Sequence, residues 1–261
     1  MAMVLPGGRQ NKEFDQVNYQ ADNPRPAGDE RQPVFLLPNS VAILAMSLLV
    51  VHAAYEWALG PLGQRLLVLW FGFIPSRLDH VGLPGGVWAM VWTPFTYALV
   101  HASWTHVLLN VAWLLAFATP VARRYGGAKM LVVFFIGSAG GALAFMLVQQ
   151  GPDIYPLVGA SGGISALMGT AMRFVFEPVE VARHEQTGMP VVVGRRLASF
   201  SGMLKNSRAR AFILFWVGIN LAIPVYALFA GPQGMMVAWQ AHLGGFAVGL
   251  VLPGLFEFKN R

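Results

Sequence analysis

Asp, Glu, Lys and Arg are missing from five stretches of the chain: 32–55, 80–122, 130–152, 154–172 and 211–256. A helix that crosses a bilayer needs about 20 mainly apolar residues, within a range of roughly 17–25. The first stretch holds one such helix, about Pro38–Tyr55. The second is longer than a helix, and its start, His80 to Trp92, is rich in Gly and Pro, so its span is placed at about Pro94–Thr119. The third and fourth stretches fit one span each; Ser161 begins the fourth, after irregular backbone at 152–159 that can lie at membrane depth only if it lines a cavity or packs in protein. The last is divided by Ala230-Gly231-Pro232, which reads as a turn, giving spans at about Ala211–Phe229 and Met235–Phe256. The pattern predicts an all-α, polytopic bundle of six transmembrane helices, with both termini on one side. Residues 1–34 are polar and aperiodic and read as a flexible arm. They show no basic flank followed by an apolar core, so they are not read as a cleavable signal. The membrane domain is 35–257, and 258–261 form a short tail. The run Leu66-Leu67-Val68-Leu69-Trp70-Phe71-Gly72-Phe73-Ile74 is too short to span and reads as an interfacial element between spans one and two.

Composition agrees with this division. The 261 residues are 56% hydrophobic and 11% charged, with mean hydropathy +0.54, where a soluble domain carries about 25% charge. A simple cytosolic enzyme and a disordered protein are excluded. The net charge of +6 raises a nucleic-acid partner as one reading, but basic flanks of membrane spans give the same excess. Their distribution favours the second reading, so no nucleic acid is expected. All of the 18 Lys and Arg except Arg65 and Arg77 fall in the arm, the connections after spans two and four, and the tail. The positive-inside rule therefore puts both termini in the cytoplasm. There is no cysteine, so disulfides, thiolate metal sites and cysteine nucleophiles are excluded.

Polar groups within spans are costly and mark functional candidates. They are His101, His106, Asn110, Ser161, Ser165, Asn220 and His242, with His52 near the end of span one. No Asp or Glu lies deep in a span, which argues against carboxylate proton relays, most cation-coupled transport and a metal site; three histidines alone are the one remaining set that could bind zinc. Gly159, Ser161 and Gly163 match G-x-S-x-G. The hydrolase elbow is rejected because the motif enters an apolar helix. Either the small neighbours expose a serine oxygen, or Gly159/Gly163 and Ser165/Gly169 form a packing face. In span six, His242, Gly245 and Gly249 share one helical face, and Gly245-xxx-Gly249 permits a close neighbour. If that neighbour is span four, His242 meets Ser161 and serves as its base. Otherwise His242 is an interhelical hydrogen-bond partner. His106 and Asn110, at i and i+4, share a face and offer two neutral donors to an oxyanion. Alternatively, Asn110 only bonds across helices. His101, five residues before His106, falls about 140° away on the same helix and is assigned a structural role.

Together, His101-x4-His106-x3-Asn110, Gly159-Ala160-Ser161-Gly162 and Ala241-His242-Leu243-Gly244-Gly245 resemble the rhomboid family of intramembrane serine proteases, in its six-helix bacterial form. The resemblance covers about Phe35 to Glu257. It implies Ser161 as nucleophile and His242 as general base and acid. His106, Asn110 and the Ser161 backbone N–H would form the oxyanion site. It implies a Ser-His dyad with no acid, no cofactor and no metal. The expected partners are the lipid bilayer and membrane proteins whose transmembrane helix is cut near its outer end. The location implied is a bacterial inner membrane. Two positions depart from the family pattern: Trp92-Thr93 stands where many members have Trp-Arg, and Ser165 where some have an aromatic residue. The first bears on the stability of the outer loop, the second on the orientation of His242. The rival readings are a rhomboid-like protein that binds helices without cutting them and a small-solute transporter. The absence of buried carboxylates and of an internal repeat argues against the transporter.

Overall fold

Pro38 sits ahead of the first helix, where its fixed φ is preorganised, and its carbonyl accepts from Val41 N–H at 2.9 Å. The computed structural model describes residues 37–79, 82–148, 155–183, 188–230 and 237–257. The arm at 1–34, the tail at 258–261 and Gly231-Pro232 lie outside the described residues. Helix α1 (Asn39–Trp57) buries Val41, Leu44, Ala45, Leu48 and His52, one stripe at helical spacing. Helix α2 (Pro61–Phe71) starts at a proline and buries none of its residues. It carries most of the short apolar run, with Leu62, Leu66, Trp70 and Phe71 exposed.

The second crossing begins later than expected. Residues 94–103 do not continue it: α3 (Thr93–Thr96), a 3₁₀ turn at Tyr97–Leu99 and an extended step precede α4 (Trp104–Tyr125). Ser103 causes the break. Its backbone is extended, and its Oγ accepts from His106 N–H at 3.2 Å, a helix N-cap. His101 therefore precedes the helix, and its expected angular relation to His106 on a shared helix does not hold. A single residue, Gly126 at φ 83°, joins α4 to α5 (Gly127–Val148); that conformation favours glycine.

The fourth crossing begins at Ser161 after irregular backbone, as expected, and is short. Helix α6 is only Ser161–Met172, 12 residues, about 18 Å at the usual rise, against hydrocarbon about 30 Å thick. Tyr155 to Ala160 stay outside the helix, because their backbone groups are taken elsewhere. Leu157 exchanges N–H···O bonds with Phe73 at 2.8 and 3.1 Å, and Gly159 N–H donates to Tyr97 O at 3.0 Å. A helix this short can sit at membrane depth because it is enclosed. Every residue from Gly162 to Met172 is buried, among α4, α5 and the last helix.

A further departure follows α6. Strands β1 (Val179–Arg183) and β2 (Pro190–Arg195) pair antiparallel, with Val179 opposite Arg195 and Arg183 opposite Pro190. Valines at 179, 181 and 191–193 favour this hairpin over helix. Helix α7 (Phe200–Lys205), capped by Ser199, leads to α8 (Ser207–Ala230), and α9 (Trp239–Glu257) closes the described chain. Helices α1, α4, α5, α8 and α9 are long and apolar enough to cross a membrane. With α6 enclosed among them, the six-helix count holds, and this is an integral membrane protein.

Helices in lipid gain no hydrophobic drive to associate, so close backbone packing must hold them. A Cβ placed on Gly245 would lie 2.0 Å from Gly162 O, and one on Gly249 1.9 Å from Ala166 O. In return, a Cβ placed on Gly169 would lie 2.4 Å from Phe246 O. Thr170 Oγ1 donates to Gly249 O at 2.9 Å. Gly249→Ala is therefore expected to lower stability by more than about 3 kcal/mol, beyond ordinary overpacking. Gly254→Ala, on the same helix with nothing within 4 Å of the new methyl, is expected to gain about 0.5–1 kcal/mol. Unfolding of the two purified variants in one detergent compares them; equal midpoints would contradict the packing described.

Candidate active site

Ser161 is the first residue of α6 and is half-buried. The segment before it is held from two sides. Ala160 N–H donates to His101 Nε2 at 3.2 Å, so His101 fastens the approach to the serine and its Nε2 carries no proton. Gly159, at φ 112°, takes a conformation that L side chains rarely adopt. Its α-carbon faces the first turns of α4: an added Cβ would lie 2.6 Å from His106 Nε2 and 3.7 Å from Asn110 Nδ2. His106 and Asn110 thus converge on the residue two before Ser161. Asn110 is 5% exposed, and its Nδ2 is buried without a hydrogen-bond partner. An unused donor costs about 1–3 kcal/mol. Gly159 and Gly163 do not form one packing face, since Gly163 meets Phe134 and Ser138 of α5 while Gly159 faces α4.

His242 lies in the first turn of α9. Its neighbours meet those of Ser161: Gly245 rests on the Gly162 carbonyl, and Ala241 O would lie 3.6 Å from a Cβ on Gly162. The helices cross at the residues beside the serine and the histidine. His242 Nδ1 is 2.8 Å from Asn220 Oδ1 on α8, and the Trp216 ring lies 5.9 Å from the imidazole. Asn220 was visible in the sequence as a polar residue in an apolar span but had no assigned role. Ser165 Oγ donates to Ser161 O at 2.7 Å. Among the described residues, no three His, Asp or Glu side chains gather as a metal site.

The loop around the site is stitched by Arg77, which sequence reading counted only as an outer charge. It is fully buried and donates to Pro84 O and Leu69 O, each at 2.5 Å. Burial pulls its pKa below the ordinary guanidinium value. Trp92 Nε1–H donates to Trp70 O at 2.9 Å and the two indoles stack at 6.3 Å, while Thr93 Oγ1 donates to Ala89 O at 2.7 Å. The loop that lacks Trp-Arg at 92–93 is thus tied by an arginine from earlier in the same loop.

Residues 88–257 match the family model of the rhomboid domain. The chain belongs to the rhomboid family. Its similarity to named rhomboids is distant. Rhomboid-related protein 3 of Homo sapiens is 27% identical over 177 residues, 66% of this chain and 38% of that protein. Rhomboid protease YdcA of Bacillus subtilis (strain 168) is 28% identical over 158 residues, 60% of this chain and 73% of that protein. This chain thus spans well under half the length of the human relative. Both alignments are shorter than the rhomboid chain described here, and neither name states a substrate.

Arg77→Met is expected to strip two part-buried carbonyls of their donor, a loss of up to about 1–3 kcal/mol each. Limited proteolysis should then cut between Trp57 and Trp92 faster than in the wild type, with the thermal midpoint lowered. Unchanged cleavage would mean that the loop is held by something else.

Proposed function

We propose that this rhomboid is an intramembrane serine endopeptidase that cuts transmembrane segments with Ser161 and His242. The observation that carries the reading is the convergence of the unpartnered Asn110 amide and the His106 imidazole on the backbone beside Ser161, at the crossing that also carries His242. Ser161 Oγ attacks the scissile carbonyl while His242 takes its proton. The oxygen that becomes negative accepts from Asn110, from His106 and from the Ser161 N–H, donors fixed before the reaction begins. His242 then protonates the leaving amine, and water, activated by the same imidazole, releases the acyl group and restores Ser161.

Depth and sidedness support the same reading. Taking Arg173, which follows the last residue of α6, as the near boundary of the hydrocarbon leaves Ser161 about 12 Å short of the far one. That end of the bundle also holds α2, the Arg77 loop and the start of α9. The opposite end carries Arg123, Arg124, Lys129, Arg195 and Arg210. By the positive-inside rule the basic end is cytoplasmic and the serine opens toward the outside. Substrates are therefore membrane proteins cut near the outer end of their helix, and the chain resides in a bacterial cell membrane with both termini inside.

The test is cleavage of a reporter transmembrane segment in proteoliposomes, alongside labelling by a mechanism-based serine reagent. Ser161→Ala and His242→Ala should abolish cleavage with folding intact. Asn110→Ala should lower turnover about 10²–10³-fold as a single lost oxyanion donor. A wild type that cuts no helix and takes no label would favour a helix-binding rhomboid that does not cut.

A further inference from the structure

We infer that Asn220 is the positioning residue of His242 and sets which imidazole nitrogen carries the proton. Asn220 is 1% exposed, and both ends of its amide are engaged. Nδ2 donates to Trp216 O, one turn earlier on α8, at 2.8 Å. A backbone carbonyl can only accept, so the nitrogen end of the amide must face it, and Oδ1 must face His242. Oδ1 in turn can only accept. The 2.8 Å contact to Nδ1 is therefore an Nδ1–H donating to Asn220. In a neutral ring the lone pair then lies on Nε2, the nitrogen able to take a proton. The opposite tautomer would set two acceptors against each other at 2.8 Å and leave Nε2 as a donor.

The other neighbours do not perform this task. Ser165, on α6, gives its hydroxyl proton to Ser161 O. Trp216 flanks the ring at 33° between planes, which limits rotation without selecting a nitrogen. Position 220 thus supplies the orienting acceptor that a carboxylate supplies elsewhere, as a neutral group that adds no charge at membrane depth. The assignment of a tautomer stands on the hydrogen bonds alone. Its catalytic consequence rests on the proposed role of His242 as base.

The experiment uses the full chain, labelled with ¹⁵N-histidine and reconstituted in lipid, with His242→Ala identifying the resonance. Wild-type His242 at neutral pH should show a pyrrole-like, protonated Nδ1 and a pyridine-like Nε2. A wild-type spectrum with the proton on Nε2 would overturn the inference without need of any variant at 220. Asn220→Leu, similar in bulk and without an acceptor, should shift Nδ1 toward the pyridine-like range. It should lower kcat about 10²-fold, at the lower edge of a general base's contribution, with KM for the reporter helix unchanged. Asn220→Asp should restore most of the activity, since a neutral acid can donate to Trp216 O and still accept from Nδ1–H. Equal kcat for wild type and the Leu variant, or loss of activity in both variants with native unfolding midpoints, would overturn the positioning role. If the wild type neither cuts nor labels while its Nδ1 is protonated, the tautomer assignment stands and the protease reading falls.

Discussion

Two helix backbones in direct contact set the terms for the rest of this rhomboid. The carbonyls of Gly162 and Ala166 on α6 lie against the α-carbons of Gly245 and Gly249 on α9, at distances that admit no side chain. Within lipid such contacts replace the hydrophobic effect as the source of cohesion. Gly162 follows Ser161 and Gly245 lies one turn from His242, so the stability of the helix pair and the placement of Ser161 and His242 are one constraint. Helix α6 can be short, and entered through irregular backbone, because protein rather than lipid surrounds it.

Polar groups near the site are neutral, and charge is kept to the two ends of the bundle. At one end Arg124 meets Glu257 at 2.7 Å, and Tyr125 Oη donates to the same carboxylate at 2.8 Å. Arg173 donates to Ala198 O at 2.8 Å and to Leu250 O at 2.5 Å, tying the exit of α6 to α9 and to the segment beyond the hairpin. At the other end Arg77 does the same for the loop between α1 and α4. Each of these guanidinium groups finds fixed carbonyls or a carboxylate, the condition under which burying a cation is tolerable.

Much of this was legible in the sequence, for identifiable reasons. Charge-free stretches mark membrane helices because a bilayer excludes charge, and the stripe His242-Gly245-Gly249 marks a close contact because only glycine admits one. The start of α4 was misplaced because an apolar run does not reveal where it stops being helical. Ser103, whose cap ends the irregular stretch, sits among residues of similar hydropathy. The start of α6 at Ser161 was legible from the small-residue motif that opens it, but the partners that hold Tyr155 to Ala160 were not, because they lie far away in sequence. The hairpin at 179–195 was hidden in a loop long enough to contain one. Arg77 and Asn220 were visible as residues, but their roles depend on carbonyls at 69, 84 and 216 and on an imidazole on another helix, and no local pattern encodes those.

The shortness and glycine content of α6 also bear on how the protein is made. A segment of 12 residues rich in Gly, Ala and Ser carries too little apolar surface to settle in a bilayer alone. One of its walls, α9, is the last helix of the described chain to be synthesised. The serine can be inserted early, but its setting is completed only when that final helix docks. A chain that ends before α9 therefore carries Ser161 without His242. The order of synthesis leaves the setting of Ser161 incomplete until α9 has been made.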